Sequence, residues 1–120
     1  MKHKLLIAGV FCVAIGLLIW PSKSSYAFER PVTNQELIQE AFPDAPVMLR
    51  IAEAESSLAS RAKNPASTAS GLFQILKSTW DSNGCLGEPF VASDNIACAK
   101  ILYSRYGTTP WNASKSKWSL

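Results

Sequence analysis

At 120 residues, 48% of them hydrophobic and four of them Trp, the chain suits one compact domain and leaves no room for two. Its formal net charge of +3 belongs to the first 27 residues, which hold Lys2, Lys4 and Lys23. Without those three lysines, nine basic residues balance nine acidic ones, and a near-neutral domain argues against nucleic acid as a partner.

The opening segment has the layout of a secretory signal peptide. Met1-Lys2-His3-Lys4 is basic, the sixteen positions from Leu5 to Trp20 carry no charge, and Pro21 to Ala27 is polar and ends in small residues. Ser25-Tyr26-Ala27 is the candidate cleavage site. This divides the chain into a leader, 1–27, and a domain, 28–120, exported to the periplasm or outside the cell. The alternative is an uncleaved membrane anchor, although sixteen residues fall short of the roughly 20 that a span needs. Cys12 has no lipoprotein-type context.

Cys85 and Cys98 are the two cysteines of the domain. An even pair in an exported chain points to one disulfide. It would contribute about 2–4 kcal/mol to a fold whose small core is marginal by itself. Two free buried thiols are the alternative. No metal site is expected, because His3, the only histidine, lies in the leader and two Cys alone do not make a zinc site.

After a lead-in through Pro31, Thr33-Asn34-Gln35-Glu36 matches a capping box and predicts a helix from Asn34 to about Phe42, ended by Pro43. Asp44 is then expected to cap a central helix that tolerates Pro46 in its first turn and runs to about Leu58. Ala59 to Ser70 is rich in small, turn-forming residues and reads as loop or a short hairpin. Gly71-Leu72-Phe73-Gln74-Ile75 follows, an apolar run broken by one amide. A short helix is expected around Ser78-Thr79-Trp80-Asp81, ending at Asn83-Gly84. Another is expected from about Asp94 to Tyr106, capped by Ser93 and stopped by Gly107. The tail from Thr108 to Leu120 carries Pro110, Trp111 and Trp118. The fold class is mostly α, with about four helices around a small core.

Glu55 is the residue most out of place. At about 100° per residue, Val47, Met48, Ile51, Ala52, Ala54, Leu58 and Ala59 share one apolar arc, and Glu55 projects into the middle of it. Glu53 projects roughly opposite. A carboxylate on a buried face is costly unless it has a task. Removal from water favours the neutral carboxyl, the form a general acid uses. The plain alternative is a buried Glu satisfied by backbone or hydroxyl groups. Nucleophilic triads are excluded from the domain, which has no histidine to act as base, and no Gly-rich phosphate loop occurs. Gln74 is the second oddity. A buried amide needs partners, either a ligand or, the better reading of the residue alone, the loop backbone. Phe73, Trp80, Tyr103, Tyr106, Trp111 and Trp118 are candidates for a sugar cleft, though most suit a core.

Taken together, these residues resemble the lysozyme-like superfamily, and most of all its soluble lytic transglycosylase branch. The resemblance rests on Glu55-Ser56 at a helix end, a small-residue loop, and then Gly71-Leu72-Phe73-Gln74-Ile75. Ser78-Thr79-Trp80, Asn95-Ile96, Tyr106-Gly107 and Pro110-Trp111 follow in order. It spans about Val47 to Trp118. Either half alone is weak; the combination is fairly specific. It implies a lysozyme-like helical domain that cleaves the β-1,4 bond between N-acetylmuramic acid and N-acetylglucosamine in peptidoglycan, with Glu55 as the catalytic acid. It further implies Ser56, Ser70, Phe73, Gln74 and Tyr106 as substrate-binding residues, with Tyr103 competing for the tyrosine role. The implied partner is the glycan strand, with no cofactor, the membrane met only through an uncleaved leader, and a monomer.

Two departures refine this. Animal-type lysozymes carry an Asp two positions before the motif's glycine, where this chain has Ala69, and no Asp or Glu occurs between Glu55 and Asp81. Hydrolysis by two carboxylates wants a partner about 5–9.5 Å from the acid. The implied route is therefore that of the transglycosylases, in which one Glu serves as acid and then base and leaves a 1,6-anhydro ring. A hydrolase helped by Asp81 or Asp94 is the runner-up. The second departure is size: the domain is short for this fold, with cleft-building segments trimmed after Gln74. A non-catalytic peptidoglycan-binding module is the third reading.

Overall fold

Thr33 and Glu36 start the first helix by satisfying each other. Thr33 Oγ1 accepts the Glu36 N–H at 3.2 Å, and Glu36 Oε2 accepts the Thr33 N–H at 2.8 Å, which is the expected capping box. The computed structural model describes residues 29–120; the expected leader, 1–27, lies outside the described residues. Helix α1 spans Asn34–Ala41 and buries Ile38. Helix α2 spans Val47–Ser56, α3 Lys77–Ser82 and α4 Ala92–Tyr106. A 3₁₀ segment, Thr109–Ser114, leads into a short α5, Lys115–Trp118. The chain is mostly helical, as expected, and no described helix is long and apolar enough to cross a membrane.

Several boundaries differ from the sequence expectation. Asp44 does not cap α2. Pro46 occupies the N-cap position without a side-chain bond. The turn is held by backbone instead, from Ala45 N–H to Phe42 O at 3.2 Å and from Met48 N–H to Ala45 O at 3.0 Å. Nor does α2 reach Leu58, because Ser57 and Leu58 both turn left-handed, with φ of 52° and 62°. Asn34 secures that turn by donating from Nδ2 to Leu58 O at 2.9 Å. Ser93 is not the cap of α4, whose N-cap is Val91. The helix starts earlier because Asp94 reaches back from its first turn to accept the Glu88 N–H at 3.0 Å.

The 59–70 segment is the expected loop with a rudimentary hairpin. Lys63 pairs antiparallel with Ser70, and Ser70 pairs again with Ile75. These are isolated bridges, and no strand forms among the described residues. Gly71 makes the turn possible. Its φ is +80°, and a Cβ there would lie 2.2 Å from Pro89 O and 2.3 Å from Asn95 Nδ2.

The core collects Ile38, Met48, Ile51, Ala52, Leu72, Phe73, Ala99 and Leu102, all essentially inaccessible to solvent. Helix α1 packs on α2 and α4, while the 3₁₀ segment and α5 pack on α2. Aromatic rings knit these pieces together. Phe73 lies 5.9 Å from Phe42 and 5.8 Å from Trp111, centroid to centroid, and Phe42 meets Tyr103 edge-on at 6.0 Å. Cys85 and Cys98 are bonded, with Cα atoms 5.2 Å apart. The bond fixes the segment after α3 to the middle of α4.

Candidate functional site

Glu55 stands on the last turn of α2, partly buried, whereas Glu53 is exposed. This agrees with the helical wheel in direction, although Ala59, placed on the same arc, is exposed because the helix has already ended. The end of a helix is the unfavourable one for a carboxylate, since the partial charge there is negative. The backbone beyond it is also strained, because two successive non-glycine residues in the left-handed region cost on the order of 1 kcal/mol each.

The tail supplies its partner. Ser114 Oγ donates to Glu55 Oε1. Ser114 is itself held by Trp118, whose indole Nε1–H reaches Ser114 Oγ at 3.1 Å and Trp111 O at 3.2 Å. Trp111 in turn donates from Nε1 to Phe73 O at 2.9 Å, and Arg50 Nε pins the tail through Trp118 O at 3.1 Å. Hydrogen bonds thus link the Gly71–Ile75 segment to Glu55 by way of Trp111, Trp118 and Ser114. Glu55 Oε2 has no hydrogen-bond partner among the described residues.

Gln74 does the work expected of a structural amide. Its Nε2 donates to Ala62 O and to Gly71 O, both at 2.9 Å, which closes the loop on the motif. Its φ of 46° is left-handed. Only Oε1 of its amide is left without a protein partner among the described residues. Ser70 is buried and acts mainly through its backbone, while its Oγ donates to Thr68 O at 3.0 Å. Ser56 is buried, and its hydroxyl is turned back onto Ala52 O at 3.0 Å. Phe73 is fully buried in the core, so its ring presents no face to a ligand. Tyr106 is exposed and donates to Asn83 Oδ1 at 3.1 Å, beside Arg105. It is not brought into the network around Glu55, and neither is Tyr103, which packs on Phe42. Of the six aromatics considered for a cleft, Phe73, Trp80, Trp111 and Trp118 are buried.

Asn95 is a residue whose importance sequence reading missed. It is wholly buried and makes three bonds. Its Oδ1 accepts the Phe73 N–H at 2.9 Å, and its Nδ2 donates to Ser70 O at 3.1 Å and to Pro89 O at 2.9 Å. It therefore holds the motif, the turn before α4 and α4 itself together. A cleft of about 440 Å³ opens beside this hub, lined by Lys63, Ser70, Ile75, Lys77, Trp80 and Glu88 among others. Glu55 is not in its lining. Of the helper carboxylates considered for hydrolysis, Asp81 is paired with Lys77 at 2.7 Å, and Asp94 is occupied by the Glu88 N–H.

Comparison with known proteins finds no matching family model, no matching curated protein and no matching solved structure.

Proposed function

We propose that this chain is a peptidoglycan lytic transglycosylase of the lysozyme-like type. Glu55 protonates the glycosidic oxygen between N-acetylmuramic acid and N-acetylglucosamine. The substrate's acetamido group stabilises the positive charge at the anomeric carbon. Glu55, now a carboxylate, takes the proton of the muramoyl 6-hydroxyl, and a 1,6-anhydro ring closes. The observation that carries the reading is the state of the Glu55 carboxyl. One oxygen is anchored by Ser114 and the other is unpartnered, on a strained helix end. Glu55 is half-buried and its Oε2 is open to solvent, so a glycosidic oxygen can reach it.

Further support comes from what surrounds it. The sequence provides no carboxylate between Glu55 and Asp81. Asp81 pairs with Lys77 on the surface and Asp94 accepts the Glu88 N–H, so neither is brought to Glu55 by a hydrogen bond. An acid without a carboxylate partner suits intramolecular ring closure better than two-carboxylate hydrolysis. Glu55→Gln is isosteric and cannot donate a proton to a leaving oxygen. It is expected to leave the fold intact by circular dichroism and to abolish release of soluble fragments from purified peptidoglycan. Unchanged lysis by this variant would remove Glu55 from the mechanism.

A further inference from the structure

We infer that Ser114 is a positioning residue for Glu55, and that it assigns the two carboxyl oxygens different duties. Oε1 is the anchored oxygen and Oε2 is the one that gives and takes the proton. The inference rests on the reading of Glu55 as the acid.

A serine hydroxyl has one proton to donate and lone pairs to accept with. The Trp118 indole can only donate, and it points at Ser114 Oγ at 3.1 Å. That bond occupies an acceptor site on Ser114 and leaves its single proton for an acceptor. Two acceptors lie in reach, Glu55 Oε1 and Trp111 O at 3.2 Å. Glu55 Oε1 receives no other donor among the described residues, and it can accept whether the carboxyl is ionised or carries its proton on Oε2. Trp111 O already receives the Trp118 Nε1–H. The hydroxyl proton therefore goes to Glu55 Oε1.

An oxygen that accepts this bond is the carbonyl-like oxygen of the neutral carboxyl. In the acid form of the proposed mechanism the proton is therefore on Oε2, which has no protein partner among the described residues. When the glycosidic bond breaks, that proton passes to the leaving oxygen of N-acetylglucosamine. When the 6-oxygen bonds to the anomeric carbon, its proton returns to Oε2. The carboxyl ends as it began, and Oε1 keeps the Ser114 bond throughout. Ser114 also limits rotation of the carboxyl, holding Oε2 in one direction for both transfers. Such preorganisation acts on the reacting geometry rather than on glycan affinity.

The test uses the full-length protein and soluble, uncrosslinked glycan strands, comparing the parent with Ser114→Ala, Ser114→Thr and Glu55→Gln. Ser114→Ala is expected to fold with a Tm near the parent's and to lose kcat about 10- to 100-fold, the range spanned by one hydrogen bond to a charged group. Its KM is expected to stay within about twofold. Ser114→Thr keeps the hydroxyl and is expected to recover most of the lost kcat. A parent-like kcat in Ser114→Ala, beside a dead Glu55→Gln, would overturn the positioning role and leave the acid assignment standing. A Thr variant as slow as the Ala variant would also overturn it, because the hydroxyl would then be irrelevant. Full turnover by Glu55→Gln would remove the acid itself, and the role of Ser114 with it.

Discussion

Replacing Asn95 with alanine tests how the motif is held in place. The side chain is wholly buried, and its loss breaks three hydrogen bonds at once. The consequences for the three partners differ. Ser70 O keeps the Ile75 N–H at 3.1 Å and loses little. Pro89 O loses its only partner among the described residues but is part-buried and can reach water. The Phe73 N–H is left with no acceptor inside the core. An orphaned buried group costs about 1–3 kcal/mol, and the small void adds to it. The total destabilisation is therefore about 2–4 kcal/mol, a large share of the stability of a domain this size. In a two-state thermal melt it appears as a fall in Tm of roughly 8–30 °C. Asn95→Asp sharpens the test. Its carboxylate can still accept the Phe73 N–H, yet it turns an acceptor toward two carbonyl oxygens that need a donor. It is expected to be worse than alanine at neutral pH. A loss below about 1 kcal/mol for alanine, or an aspartate variant more stable than the alanine one, would refute Asn95 as the hub.

Two further outcomes are expected. Gly71→Ala combines a left-handed φ with a Cβ 2.2 Å from backbone oxygen and 2.3 Å from Asn95 Nδ2, so it should cost at least about 2 kcal/mol in a denaturant titration; a neutral result would mean that the 71–75 turn is built otherwise. The Cys85–Cys98 bond closes a short loop and is worth about 3 kcal/mol. Digestion without reductant should yield the two cysteine peptides linked, and recovery of two alkylatable thiols from the native protein would contradict the bond.

What could be read from the chain, and what could not, follows from the range of each interaction. The capping box at Thr33 and Glu36, the stop at Pro43 and the cysteine pair were legible because they are local or countable. The burial of Met48, Ile51 and Ala52 was legible because helical periodicity carries it. The caps of α2 and α4 differ from expectation for one reason: Asp44 and Ser93 are good capping types, but the backbone turn at Phe42–Ala45 and the bond from the Glu88 N–H to Asp94 set the boundaries instead. The 3₁₀ segment and the four-residue α5 are too short to show a period. They hold Ser114, so the partner of Glu55, 59 residues away in sequence, could not be seen. Asn95 stands in the sequence only as a motif letter, and Phe73 reads as a ligand-facing ring, whereas the structure buries it. Their roles depend on contacts across 22 and 38 residues, which local patterns do not encode. Gln74 shows the reverse: the plain reading of a buried amide as a loop clamp describes its two donated bonds well.

In the proposed mechanism Glu55 acts without a second carboxylate. Mass spectrometry of the fragments released from purified peptidoglycan decides the point. The parent protein is expected to release fragments with 1,6-anhydromuramoyl ends, and Glu55→Gln none. Reducing ends from the parent would contradict it in favour of hydrolysis, and the absence of any fragments would point to a module that binds glycan without cutting it.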